Sequence, residues 1–393
     1  MLNKSMYALG ARRSCIRELY EYGRRRRAEV GDENVFDYSI GNPSIPAPPQ
    51  VGDAIREILS SRSSLEIHSY TPAVGSPELR QAVADDLNAR YDAGIRPGDL
   101  FIGCGAAPEL CSVIRALAVE GSEFVVIAPF FPEYRPFVES AGAALRVVPA
   151  DIPAFQIDFG ALERILNPRT QALILNSPNN PAGTVYTEAT LRRLAALLTE
   201  KAAAFGHPIY ILSDEPYREL CYDGVTVPFL PGIYPDTVIC YSWSKSLSLP
   251  GERIGYVCVP PRVTDHDALY AAVAGAARSL GHVCAPSLMQ QVIAACISLR
   301  PDLTAYDRNR RLMADGLRSF GYEMARPDGA FYLFVKAPNG DSEAFSEQAR
   351  KLDLLLVPGT DFGCREYFRV CYCVDEDRIR RSLPLFRKLM ESC

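Results

Sequence analysis

The sequence predicts an α/β fold, with a large, mostly parallel seven-stranded sheet in one domain and a smaller α+β domain beside it. Three observations carry this expectation. At 393 residues the chain is too long for a single ordinary domain. From about residue 100 to 260, short apolar runs alternate with helical patterns, the signature of parallel strands joined by helices. After residue 285 the alternation gives way to a long helical stretch, three apolar runs and a closing amphipathic helix. The expected division is residues 1–49 as an N-terminal arm and part of the small domain, 50–285 as the large ligand-binding domain and 286–393 as the small C-terminal domain.

Each element has its own signal. Residues 14–29 have a helical pattern, and the basic run Arg24 to Arg27 within it is expected to form a solvated face. The stretch Ile40-Gly41-Asn42-Pro43, proline-rich through Pro49, is expected to be an extended arm. The seven strand candidates are residues 101–102, 124–128, 145–148, 172–175, 209–212, 238–241 and 254–259. Between them, residues 190–205 repeat leucine and alanine at helical spacing behind a capping Thr187. In the last third, helical segments at 287–299 and around Arg308 to Arg311 precede the apolar runs 331–335, 354–357 and 368–373. Residues 376–390 make the final helix.

Composition narrows the function. Hydrophobic residues at 48% and charged residues at 23% are globular values. A net charge of −5 gives no reason to expect nucleic-acid binding. The twelve cysteines are scattered, with no C-x-x-C and no histidine at ligand spacing, so neither a metal site nor a disulfide framework is expected. Cys371 and Cys373, two apart in an apolar run, should share one face of a strand as reduced core residues. No stretch reaches the ~20 apolar residues of a membrane span or has signal-peptide character. The expectation is a soluble, cytoplasmic protein.

The chemistry centres on Ser242-Trp243-Ser244-Lys245, with Arg253 eight residues on. An amine set between two hydroxyls and a guanidinium suits a covalently held, phosphate-bearing aldehyde, because burial beside a cation favours the neutral, nucleophilic amine. Taken alone, the tetrapeptide is a solvated loop. It also matches the S-x-x-K nucleophile signature, but the S-D-N and K-T-G partners of that signature are absent.

Other strings fall where an open α/β sheet binds ligands, at the carboxyl ends of strands. Asn176-Ser177-Pro178-Asn179-Asn180-Pro181 forms a rigid loop that could present an asparagine to a ligand oxygen. Ser213-Asp214-Glu215-Pro216-Tyr217 brings a carboxylate that would need a cationic partner if buried, or would cap the next helix. Gly103-Cys104-Gly105-Ala106-Ala107-Pro108 suits one phosphate at a helix N-terminus, although Pro108 breaks the dinucleotide fingerprint. Phe131, between Phe130 and Pro132, could cover a planar ring or pack in the core. Arg369, in an apolar run, would take either a substrate carboxylate or a structural salt bridge.

As an ordered set, from Ile16-Arg17-Glu18-Leu19 and Ser39-Ile40-Gly41-Asn42-Pro43 to Tyr367-Phe368-Arg369-Val370, these strings resemble the class I/II aminotransferases, the aspartate aminotransferase-like branch of fold-type-I pyridoxal-phosphate enzymes. The resemblance implies pyridoxal 5'-phosphate bound to Lys245 as a Schiff base, Asp214 paired with the pyridine nitrogen, Asn180 and Tyr217 on the phenolic oxygen, and Phe131 stacked on the ring. It implies a phosphate site made by the amides of Ala106 and Ala107, by Ser242, Ser244 and Arg253, and by Tyr70 from a neighbouring subunit, hence a homodimer with shared sites. Arg369 would bind the substrate α-carboxylate beneath the backbone near Gly41.

The implied reaction is ping-pong transfer of an amino group between an amino acid and a 2-oxo acid. Three positions depart from the family pattern: Ala182 replaces a usual threonine, Glu252 a frequent tryptophan, and Phe131 a residue with a polar ring substituent. These bear on side-chain specificity more than on the reaction. A carbon-sulfur β-lyase on the same scaffold is the alternative. A transcription regulator of this fold would need a DNA-binding domain ahead of the arm, which begins within about 40 residues of Met1. A dinucleotide-dependent oxidoreductase would leave Lys245 without a role.

Overall fold

The computed structural model describes residues 1–11 and 15–392. Ser14, the first residue of the expected N-terminal helix, lies outside the described residues. The large sheet has seven strands, as expected: β1 (Leu100–Gly103), β2 (Glu123–Ile127), β3 (Ala144–Val148), β4 (Thr170–Asn176), β5 (Tyr210–Asp214), β6 (Thr237–Ser242) and β7 (Gly255–Cys258). Their order in space is β1-β7-β6-β5-β4-β2-β3. β7 alone runs antiparallel to its neighbours β1 and β6.

The continuous apolar runs exist because both faces of the sheet are covered, so successive side chains enter different cores. Phe124 and Val126 of β2 pack in one cluster with Leu110 and Val113 of the helix Ala106–Leu117. Val125 and Ile127 face the other way, onto Leu191, Leu194 and Leu198 of the helix Glu188–Phe205. The Thr187 side chain caps that helix by accepting from the Thr190 amide.

A second sheet, antiparallel, orders Tyr332–Lys336, Tyr367–Cys371 and Val357–Pro358, and packs with the helices Thr304–Ser319 and Glu376–Glu391. The apolar run 354–357 is not one strand. Leu354–Leu355 pairs in parallel with Phe36–Asp37, and only Val357–Pro358 joins the antiparallel sheet. Phe36 and Tyr38 therefore belong to the small unit's core. The helix Ser287–Cys296 lies beyond residue 286 in sequence, yet Met289, Val292 and Ile293 share a core with Ile58, Leu79 and Val83.

The basic run is less solvated than expected. Arg26 pairs with Asp353 at 2.8 Å and Arg27 with Asp37 at 2.8 Å, because the helix Cys15–Val30 lies along the edge where Phe36–Asp37 meets Leu354–Leu355.

Candidate active site

Sheet topology gathers the chemistry. The loops after β1, β2, β4, β5 and β6 leave the same carboxyl edge, and they carry Ala106 and Ala107, Phe131, Asn180, Asp214 with Tyr217, and Ser244 with Lys245. Because β7 runs the opposite way, the residue that leads into it, Arg253, arrives at that edge too. Gly255 sits in register with Ser242 on one side and Gly103 on the other. Of the thirteen residues singled out from the sequence, all but Tyr70 line one cavity of about 370 Å³, including Gly41 and Arg369 from outside the large sheet. Tyr70 is 84% exposed and lies away from the cavity of its own chain.

Asp214 is buried at the end of β5 and accepts a 2.5 Å hydrogen bond from the Tyr134 hydroxyl. It caps no helix. Burial outweighs that bond and pushes its carboxyl up to about 7. Asn176, in register with Asp214, holds the local backbone by donating to the Asp214 carbonyl at 2.9 Å and accepting from the Asn180 amide at 2.7 Å.

Lys245 Nζ donates to the Gly41 carbonyl at 2.8 Å. Burial is the main cause that lowers its pKa; Arg253 and Arg369 act the same way, against the thiols of Cys373 and Cys371. This is the shift that makes an amine nucleophilic. A side chain at Gly41 would collide with the Tyr332 hydroxyl, so the extended segment passes over the site only as glycine.

Arg369 is almost wholly buried, with no carboxylate at ion-pair distance among the described residues. Its Nη1 donates to Asn180 Oδ1 at 2.8 Å and its Nη2 to the Ser39 carbonyl at 2.5 Å, while Nε has no partner among the described residues. The guanidinium lies over the Tyr332 ring, 4.6 Å from its centre. Among the described residues nothing forms the salt bridge that a structural role would require. A buried cation with an idle donor suits an incoming carboxylate.

The anion cradle lies at the far end of Lys245's own turn. Ser242 and Ser244 hydroxyls are 2.6 Å apart, and the Ser242 side chain caps the turn by accepting from the Ser244 amide. Gly105, at φ 98°, opens the helix Ala106–Leu117, and a Cβ there would come within 2.9 Å of Arg253 Nη2. Arg253 itself holds φ 50°, a left-handed conformation rare for a residue with a side chain and typical of functional sites. Backbone amides, two hydroxyls and a guanidinium thus converge where a phosphate would sit. Asp214, a buried carboxyl with only a hydroxyl for company, has the place and charge to face a ring cation. The donor set fits pyridoxal 5'-phosphate.

Sequence reasoning missed three contributors. Tyr134 lies three residues, about one turn, beyond Phe131, and that spacing was the available signal. Asn176 is the last residue of β4 and the first of the asparagine string. Tyr332 hydrogen-bonds Tyr217 between hydroxyls at 2.9 Å, and only the tertiary packing of the small unit brings it there.

Comparison with known proteins gives the same picture. A family model described as aminotransferase class I and II matches residues 33–383. The chain is 31% identical to a probable aspartate/prephenate aminotransferase of Thermus aquaticus, over 90% of this chain and 91% of that one. A crystal structure of an amino transferase from Eubacterium rectale superposes with a TM-score of 0.98 at 52% identity, covering 100% of this chain and 99% of that one. Aspartate aminotransferase from Thermus thermophilus with maleate superposes with a TM-score of 0.85 at 27% identity, covering 99% of both chains.

Proposed function

Because the chain belongs to the class I and II aminotransferases, pyridoxal-phosphate enzymes that move an amino group between an amino acid and a 2-oxo acid, we propose that its transfer runs on Lys245, Asp214 and Arg369 in the cavity at the carboxyl edge of the sheet. The observation that carries this reading is the convergence in one cavity of a buried, pKa-lowered amine, a buried carboxyl and a buried guanidinium that has an idle Nε and no carboxylate beside it among the described residues. Pyridoxal 5'-phosphate, when bound, supplies a carbonyl for an amine to capture and a cationic ring that withdraws electrons from the substrate's α-carbon.

The protein's side chains do the rest. Lys245 Nζ would hold the cofactor covalently, and as a free amine it is the base placed to take and return the proton at the substrate's α-carbon. Asp214, oriented by Tyr134, keeps the ring nitrogen protonated. Asn180 and Tyr217 hold the phenolic oxygen, and Phe131 covers the ring. Ser242, Ser244, Arg253 and the amides of Ala106 and Ala107 hold the phosphate. Arg369 takes the α-carboxylate, with the Gly41 segment closing above it.

Ile16, Ile40, Phe131 and Phe137 give the cavity an apolar wall, which favours an apolar or aromatic side chain on one of the two substrates. Tyr70, projecting from its own chain, serves the phosphate of a second copy in a homodimer, with residues 1–49 and 286–393 forming most of the small domain. The free cysteines suit a cytoplasmic setting. A spectrophotometric half-reaction screen tests the reading. Amino acids should convert the bound cofactor to its aminated form, aromatic and branched ones most efficiently; a spectrum unchanged by Lys245→Ala would overturn the lysine assignment. Sedimentation as a monomer at working concentration would remove Tyr70 from the site.

A further inference from the structure

One buried acid at this edge has no task in the reaction. Glu109 lies one turn into the helix Ala106–Leu117, is 1% exposed, and neither carboxyl oxygen has a hydrogen-bond partner. The nearest backbone, at Gly103 and Gly105, approaches the carboxyl without the geometry of a full hydrogen bond. A Cβ on Gly103 would stand 2.7 Å from Glu109 Oε1, and one on Gly255 would stand 2.9 Å from the same oxygen. These two glycines face each other across β1 and β7, so the room left by their missing side chains is what the carboxyl fills. On the neighbouring turn, the missing side chain of Gly105 makes room for Arg253 Nη2. Acid and guanidinium thus occupy adjoining spaces beneath the phosphate cradle.

The charged and titratable groups that face Glu109 come from every side. Arg253 on the approach to β7 favours its ionisation, and Asp214 at the end of β5 opposes it. The thiols of Cys104, after β1, and Cys240, on β6, feel its charge in turn. Burial is the largest influence and pushes the carboxyl well above the usual range; the Gly105 backbone comes next and pulls the other way, ahead of Arg253, with a smaller pull from Gly103. An uncharged acid there leaves Arg253 its full charge for a ligand. An ionised one would neutralise the guanidinium and repel a dianion.

We infer that Glu109 is a positioning residue of the phosphate cradle, uncharged while phosphate is bound, and that its ionisation competes with the phosphate for Arg253. The inference rests on the reading that Arg253 and the helix N-terminus hold the cofactor phosphate. By reciprocity, phosphate binding then favours the proton on Glu109 and loss of that proton weakens phosphate binding by the same factor.

The test uses the full chain stripped of cofactor, titrated with pyridoxal 5'-phosphate and with pyridoxal between about pH 6 and 9. Wild-type affinity for the phosphate-bearing ligand should fall with pH about tenfold more than that of Glu109→Gln, which keeps the shape and never ionises. Pyridoxal should show no such difference between the two proteins. A wild-type to variant ratio flat across the range would overturn the inference while leaving the phosphate site intact. Equal wild-type affinity for the two ligands would instead overturn the phosphate reading itself. Should Glu109→Gln fail to fold, calorimetry of the wild type in two buffers decides: proton uptake at the alkaline end in excess of that for pyridoxal and of the phosphate's own titration is expected, and no excess would overturn the inference.

Discussion

Two carboxylates at opposite edges of the large sheet have opposite fates. Glu123 opens β2 at the amino edge, where Arg146 and Arg169 each reach Oε1 at 2.7 Å and Asn167 donates to Oε2 at 2.9 Å. The hydrogen bond from Arg146 is the main cause that holds it down to about 2, with Asn167 and Arg169 adding to it against burial. Asp214 closes β5 at the carboxyl edge with one tyrosine hydroxyl, and burial drives it up to about 7. The same chemical group is fully satisfied at one edge and short of a cation at the other. Arg369 repeats the lesson with the sign reversed, since among the described residues its buried guanidinium has no carboxylate at ion-pair distance and its Nε no hydrogen-bond partner. The protein's own partners are withheld where a ligand is to supply them.

The sharpest way to break that contrast is at the amine. Lys245→Ala should lower turnover at least about 10³-fold, as expected for loss of a group that moves a proton in the reaction, read by single-turnover kinetics. Residual turnover within tenfold of wild type would move the chemistry elsewhere. Asp214→Asn comes next, with a loss of about 10²–10³-fold in kcat, the scale of breaking a buried pair.

The same substitution has a second, opposite signature in the cofactor-free protein. Asp214 has a folded pKa raised above its unfolded value, so its relative stabilisation is complete below about pH 4 and is lost as pH rises to about 7. Cofactor-free Asp214→Asn should therefore be more stable than cofactor-free wild type at pH 8, by on the order of a few kcal/mol, and not at pH 4. Urea denaturation at the two pH values measures this. A loss of stability at pH 8 would mean that the carboxylate already has its cation.

How much of this was legible depended on whether a residue's partner lay in the same string. Lys245, Arg253, Asn180 and Asp214 announced themselves because strand ends put short motifs on one edge, and a sheet with one known direction fixes where they meet. The antiparallel β7 escaped the pattern of apolar runs, because strand direction leaves no mark on composition. So did the division of residues 354–357 between two sheets: four apolar residues in a row do not say which neighbour each will pair with. Tyr134 and Tyr332 gain their meaning from contacts 80 and 115 positions away, with Asp214 and Tyr217, and Glu109 gains its own from a space closed by Gly103 and by Gly255, 146 positions on. Glu109 in particular looks like an ordinary first-turn helix acid until its surroundings are known.

Arg369 tests the cationic half of the contrast. Arg369→Gln should raise the apparent KM for every amino acid by about 10–100-fold, the value of one or two charge-assisted hydrogen bonds, whatever the substrate side chain. Steady-state kinetics over acidic, aromatic and aliphatic donors reads this directly. A penalty confined to acidic donors would reassign the residue to side-chain recognition and leave the α-carboxylate without its partner.

The smallest effect is expected at the satisfied carboxylate. Glu123→Gln should leave transamination unchanged, because the amino edge is a full sheet length from the cavity, and should act on stability alone. Here the folded pKa is depressed, so the stabilisation is present above about pH 4.5 and is lost as pH falls towards 2. Arg146 and Arg169 are about half exposed or more, so solvent screening reduces the expected loss at neutral pH to about 1–2 kcal/mol. Denaturation of wild type and variant should converge as the pH is lowered through this window. Persistent divergence at pH 2 would mean that Glu123 contributes shape rather than charge, and the two edges of the sheet would then differ in packing and not in electrostatic completeness.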